Sequence, residues 1–291
     1  MKSRVKEIAK YSIKLGLSIL ALWFVGTKVD WSKLLNTWQS ASIGWISIAF
    51  GLFIFSKLAA SFRLNAFFKA NEIHLAHWIN IKLYWLGMYY NLFLPGGVGG
   101  DGYKVYLLKK SHGKSVKSLT WIMLLDRLGG LAAIGIIVAI LTLLINFPQP
   151  VWKFVAVGAI GIIPLGAYLG LKWFFKQYVK IFPQIIGWSL AVQGGQVLAA
   201  MCLLLALNQQ NDMLAYLMLF LISSVAAMLP ISLGGLGARE LAMFYMADYL
   251  NLNPDLAMSI SLAFYAISAL TSLSGVYFSW NTKAVGLQQQ E

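Results

Sequence analysis

The chain predicts an all-α polytopic membrane protein: about six full transmembrane helices plus two re-entrant broken-helix hairpins, arranged as an inverted repeat. Three observations carry this expectation. Of the 291 residues, 59% are hydrophobic and only 11% charged, with a mean hydropathy of +0.71, whereas soluble chains draw about a quarter of their residues from the charged set. Apolar blocks suited to crossing about 30 Å of hydrocarbon recur from residue 11 almost to the C-terminus. Two of those blocks run into proline and glycine strings that no uninterrupted helix carries, starting at Pro95 and at Pro230.

The net charge of +13 comes from 23 basic against 10 acidic residues. The basic residues cluster in short loops between apolar blocks, which is the positive-inside bias of a membrane protein, so no nucleic-acid partner is expected. Little of the chain is left for a soluble domain, and residues 1–291 read as one integral membrane domain. The single cysteine, Cys202, lies in an apolar stretch. No intramolecular disulfide and no cysteine metal cage is therefore possible.

The elements follow in order. Residues 11–25 form a short apolar run behind a basic start; no small-residue cleavage site follows, so this is a retained first helix with its basic end in the cytoplasm. The second span covers 43–60, and Lys57, Arg63, Lys69 and Lys82 place its far end in the cytoplasm. Residues 78–94 enter the membrane and break at Pro95; 103–108 lead out to Lys109, Lys110, Lys114 and Lys117, again cytoplasmic. A segment that enters and leaves on one side is re-entrant, which requires protein or a wet cavity around its irregular backbone. Span 119–145 crosses outward, 154–171 returns to Lys172, Lys176 and Lys180, and 185–207 crosses outward to a loop without Lys or Arg. Residues 213–249 form the second interrupted segment, entered from outside, and 256–280 return the C-terminus to the cytoplasm. The location is the cell inner (plasma) membrane.

Gly96-Gly97-Val98-Gly99-Gly100-Asp101-Gly102-Tyr103 aligns without a gap on Gly234-Gly235-Leu236-Gly237-Ala238-Arg239-Glu240-Leu241. Each string follows a proline and precedes a helical piece. The first half of the repeat is 40–145 with its hairpin at 78–108; the second is 154–280 with its hairpin at 213–249. Broken helices of this kind frame the site in many transporters.

A charge at mid-membrane costs about 2.5–3.5 kcal/mol on insertion scales, so such residues are functional candidates. Five stand out: Asp101, Asp126, Arg127, Arg239 and Glu240. Asp126 and Arg127 are adjacent on one helix and point apart, so each needs a partner elsewhere. The expected pairs are Asp101 with Arg127 and Asp126 with Arg239, tying both hairpins to span 119–145. Helix starts near Gly100 and Gly237 would offer free N–H groups to a phosphate or carboxylate. Asp101 or Glu240 could carry a coupling proton. Asn91, Tyr89 and Tyr90 are weaker site candidates.

Other signals lead nowhere. The G-x-G-x-x-G string at 97–102 follows no strand, and no G-K-[ST] follows it. His74, His77 and His112 lack metal-ligand spacing, and no Ser-His-Asp set lies at one depth. No catalytic residue, metal or cofactor is expected, and the chain does not read as an enzyme. Tryptophans near span ends form an interfacial belt.

The strings Asn91-Leu-Phe-Leu-Pro95-Gly-Gly-Val-Gly-Gly-Asp101, Asp126-Arg127-Leu-Gly and Pro230-Ile-Ser-Leu-Gly-Gly-Leu-Gly-Ala-Arg239-Glu240 resemble the signature of the lysylphosphatidylglycerol synthase membrane-domain family, also called flippase-like. In founding members this domain is associated with translocating an aminoacylated phospholipid made by an attached soluble synthase. The chain stops at Glu291, so the resemblance implies a stand-alone lipid module without synthase activity. By position it carries over Asn91, Pro95, Gly97, Gly100, Asp101, Asp126, Arg127, Gly234, Gly235, Gly237, Arg239 and Glu240. Lys104 departs from the arginine common in the family, keeping charge but losing the planar fork. The expected function is translocation of a phospholipid or lipid-linked head group, anionic, zwitterionic or aminoacylated, through a charged cavity between the hairpins. The alternative is a non-transporting lipid-binding or assembly partner of a lipid-modifying enzyme.

Overall fold

The computed structural model describes residues 38–93, 98–147, 149–228, 237–281 and 285–287. The expected first helix, and the break residues Pro95, Gly97, Pro230, Gly234 and Gly235, lie outside the described residues. Ten α-helices follow in chain order among the described residues, and no strand. They are α1 (Ile43–Ala70), α2 (His77–Phe93), α3 (Gly99–His112), α4 (Val116–Leu144) and α5 (Val151–Phe174). After a 3-10 turn at Lys176–Ile181 come α6 (Phe182–Ala206), α7 (Met213–Met228), α8 (Ala238–Tyr249), α9 (Pro254–Leu273) and the short α10 (Val276–Trp280). Five helical stretches are long and apolar enough to cross a membrane: α1, α4, α5, the stretch containing α6, and the one joining α9 to α10. The chain is therefore a multi-pass membrane protein.

Helix ends follow local chemistry. The Ser115 hydroxyl accepts from the Ser118 N–H at the start of α4, and Asn253 Oδ1 accepts from Asp255 and Leu256 at the start of α9. Both are ordinary N-caps. Gly113 closes α3 with φ 62°, the left-handed geometry that glycine adopts without strain.

The centre of the bundle is the α1–α6 pair. Ser42, at the head of α1, donates its N–H to Ala206 at the tail of α6, and late in α1 Arg63 reaches Ser189 early in α6. The two helices are thus antiparallel. Small residues let them approach: a Cβ on Gly195 would sit 3.2 Å from Ser56 Cβ, Ala59 and Ala60 cluster with Val192, and Ala199 and Ala200 share a core with Ala49 and Phe53.

Two apolar cores flank this pair at opposite ends. One joins Ala49 and Phe53 of early α1, Leu141 of late α4 and Leu203 of late α6 to α7, α8 and α9 through Phe220, Met243 and Phe264. The other joins Leu64 and Phe67 of late α1, Ile122 of early α4 and Ile185 of early α6 to α2 and α3 through Leu86 and Leu108. The α2–α3 hairpin therefore belongs to one end of the bundle and the α7–α8 hairpin to the other.

Helix α5 is the outlier. Only Ala156 and Leu171 are buried on it, while Phe154, Val157 and Ile162 are exposed. In an apolar solvent such a face is the expected one, since lipid chains are as apolar as leucine.

One sequence reading needs correction. Helix α1 does not stop at residue 60 but runs on to Ala70, so Lys57 and Arg63 are interior helix positions rather than a cytoplasmic flank. The helical piece expected near Gly100 begins at Gly99, so Asp101 and Lys104 share a helix face one turn apart.

Candidate functional site

Between the two apolar cores lies a cavity of about 300 Å³ lined by α1, α2, α3, α4, α6, α7, α8 and α9. Five cations face it, Lys57, Arg63, Lys104, Arg127 and Arg239, against two carboxylates, Asp101 and Asp126, a formal +3. Asn91, Gln193 and Gln196 add neutral polar groups.

Asp101 is 8% exposed and held by two cations. Lys104 Nζ lies 2.8 Å from Oδ1, and Arg127 reaches Oδ2 with Nη2 at 2.6 Å and Nε at 2.8 Å. The first contact is a one-turn pair within α3; the second ties α3 to α4. The expected Asp101–Arg127 pair is thus formed. The ammonium of Lys104 also lies 5.1 Å from the centre of the Tyr84 ring on α2.

The expected Asp126–Arg239 pair is not formed. Asp126 instead takes a bidentate fork from Arg63, Nε to Oδ1 at 2.7 Å and Nη2 to Oδ2 at 3.1 Å, and Arg63 Nη1 donates to the Ser189 hydroxyl at 3.0 Å. This pair joins α1, α4 and α6 at the waist of the bundle. The planar fork suits a guanidinium and not an ammonium.

Arg239 has a different environment. Nη2 donates to the Ser224 hydroxyl at 3.2 Å, and the guanidinium carbon lies 5.2 Å and 5.0 Å from the ring centres of Phe220 and Phe264. Its buried Nε–H has no acceptor among the described residues. Lys57 rests 4.6 Å above Phe53.

At each helix start one N–H already has an acceptor. The Gly100 N–H donates to Asn91 Oδ1 at 2.8 Å, and the Gly237 N–H donates to Glu240 Oε2 at 2.7 Å. Asn91 therefore lines the cavity and caps α3 at once. Glu240 does not line it: at 1% exposure, its other oxygen accepts from the Ser261 hydroxyl at 2.7 Å. The side chain is the glutamate half of a capping box, linking α8 to α9. Tyr89 is outside the lining, and Tyr90 bonds Ser279 at 3.1 Å.

The cap makes a separable prediction. Glu240→Gln keeps an acceptor for Gly237 and a polar group against Ser261, and is expected to unfold within about 1 kcal/mol of the parent. Glu240→Ala loses the cap and is expected to cost about 0.5–2 kcal/mol. Thermal unfolding in detergent measures both. An intact Glu240→Gln protein that lost lipid exchange would instead assign Glu240 a proton-carrying role.

An apolar groove of about 960 Å³ runs beside the charged cavity, between α5 and the bundle. Ile134 of α4 lines both spaces and is 3% exposed. The two compartments offer a polar and an apolar environment separated at that point by one side chain.

Lys57 and Arg63 are the cavity cations absent from the sequence candidates, because basic residues near a span end read as a boundary. Their signal was spacing: six residues apart in a continuing apolar helix, they are separated by too few residues to mark a loop.

An apolar-surfaced helical bundle enclosing a charged, net cationic cavity defines a polytopic membrane protein with an internal polar site. Residues 11–275 match the family described as the Lysylphosphatidylglycerol synthase TM region, and the chain belongs to that family. No curated protein matches it.

Proposed function

We propose that the protein moves an amphiphilic lipid between leaflets, the head group passing through the charged cavity while the chains stay in apolar surroundings. One observation carries the reading: charges that cost about 2.5–3.5 kcal/mol each at mid-membrane are gathered around an unfilled space bounded by both hairpins. A scaffold gains nothing from such an arrangement. No chemistry on the lipid is part of this reading.

The helix contacts support an inverted repeat. In the first unit α1 packs on α2 and α4, and α4 on α3; in the second, α6 packs on α7, α1 and α9, and α9 on α8. The cross-contacts correspond as well: α4 meets α7 where α9 meets α2, and α4 meets α6 where α9 meets α1. Exchanging α1–α4 with α6–α9 reproduces this set. The single crossing of α5 inverts the second unit in the membrane, so that the hairpins at opposite ends of the bundle re-enter from opposite faces. The basic loops support a reading with both termini in the cytoplasm and the protein in the plasma membrane.

Liposome reconstitution tests this. Exchange of head-group-labelled lipids should be faster with the protein than in empty liposomes, and Asp101→Asn or Arg239→Gln should lose most of the gain while still unfolding cooperatively. Exchange no faster than in empty liposomes, across anionic, zwitterionic and aminoacylated lipids, would sink translocation and leave a binding or assembly role beside a lipid-modifying enzyme.

A further inference from the structure

The cavity charges divide into two groups. Both carboxylates are consumed: Asp101 by Lys104 and Arg127, Asp126 by Arg63. Lys57 and Arg239 are the two lining cations without a carboxylate partner among the described residues. They come from opposite parts of the chain, one from α1 and one from the start of α8, and both line the same cavity.

What holds two like charges together is an aromatic floor. Phe53 lies under Lys57, and Phe220 and Phe264 lie against Arg239. The three rings form one cluster, Phe53 to Phe264 at 5.3 Å and Phe220 to Phe264 at 4.7 Å, both edge-on. Ring faces attract cations without neutralising them. The charge of both side chains therefore remains available to the cavity, and the Nε–H of Arg239 has no acceptor among the described residues.

Resting on the lipid reading above, the geometry points to a phosphate-oxyanion subsite formed by Lys57 and Arg239 above this floor, selecting lipids whose head group carries net negative charge over aminoacylated, cationic ones. A guanidinium and an ammonium converging on one space suit a phosphate, the first by directed N–H donors and the second as a point charge. An ammonium-bearing head group finds no matching free carboxylate here, and meets a formal +3. The discrimination is built as much from the absence of an open anion as from the presence of cations.

The experiment is a titration of the purified protein in detergent with short-chain lipids, followed by calorimetry. The probes are dihexanoyl phosphatidic acid, phosphatidylglycerol, phosphatidylcholine and the lysyl ester of phosphatidylglycerol, with inorganic phosphate as both ligand and competitor. The anionic pair should bind at least about tenfold tighter than the zwitterionic lipid, and the lysyl ester more weakly still. Lys57→Gln and Arg239→Gln should each weaken anionic binding about tenfold or more, with Arg239→Lys falling between. Lys57→Met serves if Lys57→Gln does not fold.

Equal affinity for all four head groups, or anionic binding unchanged in both variants, overturns the subsite while leaving lipid binding in place. Phosphate binding as tightly as the lipids, and weakened by the same substitutions, supports the anion subsite but removes the lipid as its source. Binding of none of the probes overturns both readings.

Discussion

Asp126→Ala is expected to be the most damaging single change in the cavity, lowering stability by about 3–5 kcal/mol. The reason is what it leaves behind. Arg63 is 5% exposed and donates two of its hydrogen bonds to Asp126, so removing the carboxylate strands a buried cation at the crossing of α1, α4 and α6. The double variant Arg63→Met with Asp126→Leu should recover most or all of that loss, because a buried pair replaced by apolar groups of similar volume is often neutral or better. Unfolding in detergent by heat or denaturant, on both single variants and the double, gives the coupling directly. Additive losses without recovery would mean that the ion pair is incidental to the waist of the bundle. Arg239→Gln should behave oppositely, staying within about 1 kcal/mol of the parent, since among the described residues no carboxylate pairs with it and its buried Nε–H has no acceptor. The two arginines face one cavity, and stability should sort them into a structural tie and a free recognition charge.

The all-helical fold and the apolar spans were legible because each has a local cause, an apolar run of membrane length between polar loops. The Asp101–Arg127 pair was legible for the same reason, as an acid and a base in short motifs at matching depth. Asp126 lost its true partner because Arg63 sits on a helix that continues ten residues past the expected end, and a basic residue in that position carries the same local signature as a loop boundary. Glu240 is a site candidate in the sequence because it is an acid in an apolar segment, and with Gly237 in place of Ser or Thr the string carries no full capping-box signature to mark it as a cap. The aromatic floor had no such mark. Phe53, Phe220 and Phe264 lie on three helices far apart in sequence, and only packing brings them under the two free cations.

Gly100→Ala is the second large effect, expected to reach the upper end of about 1–3 kcal/mol or beyond. A Cβ there would fall 1.8 Å from the Gly87 carbonyl oxygen and 2.6 Å from its carbon, so the obstacle is backbone and no rotamer change relieves it. Helix α3 would have to withdraw from α2. That withdrawal breaks the Asn91 cap on the Gly100 N–H and carries Asp101, the next residue, away from Arg127. Gly102→Ala is the control two residues on: nothing lies within 4 Å of its Cβ position, and alanine is the better helix former by about 1 kcal/mol, so this variant should equal or exceed the parent. Gly87→Ala falls between them. Its Cβ meets the Lys104 side chain at 2.8 Å, an obstacle that can bend but is pinned at its end by Asp101. Stability should therefore rank Gly102→Ala, Gly87→Ala, Gly100→Ala in falling order, and lipid exchange should already fail at Gly87→Ala, where the fold survives but the Lys104–Asp101 contact is displaced. Equal stability of Gly100→Ala and Gly102→Ala would mean that α2 and α3 are not in backbone contact, and the hairpin would lose the close approach that sets its charges at the cavity wall.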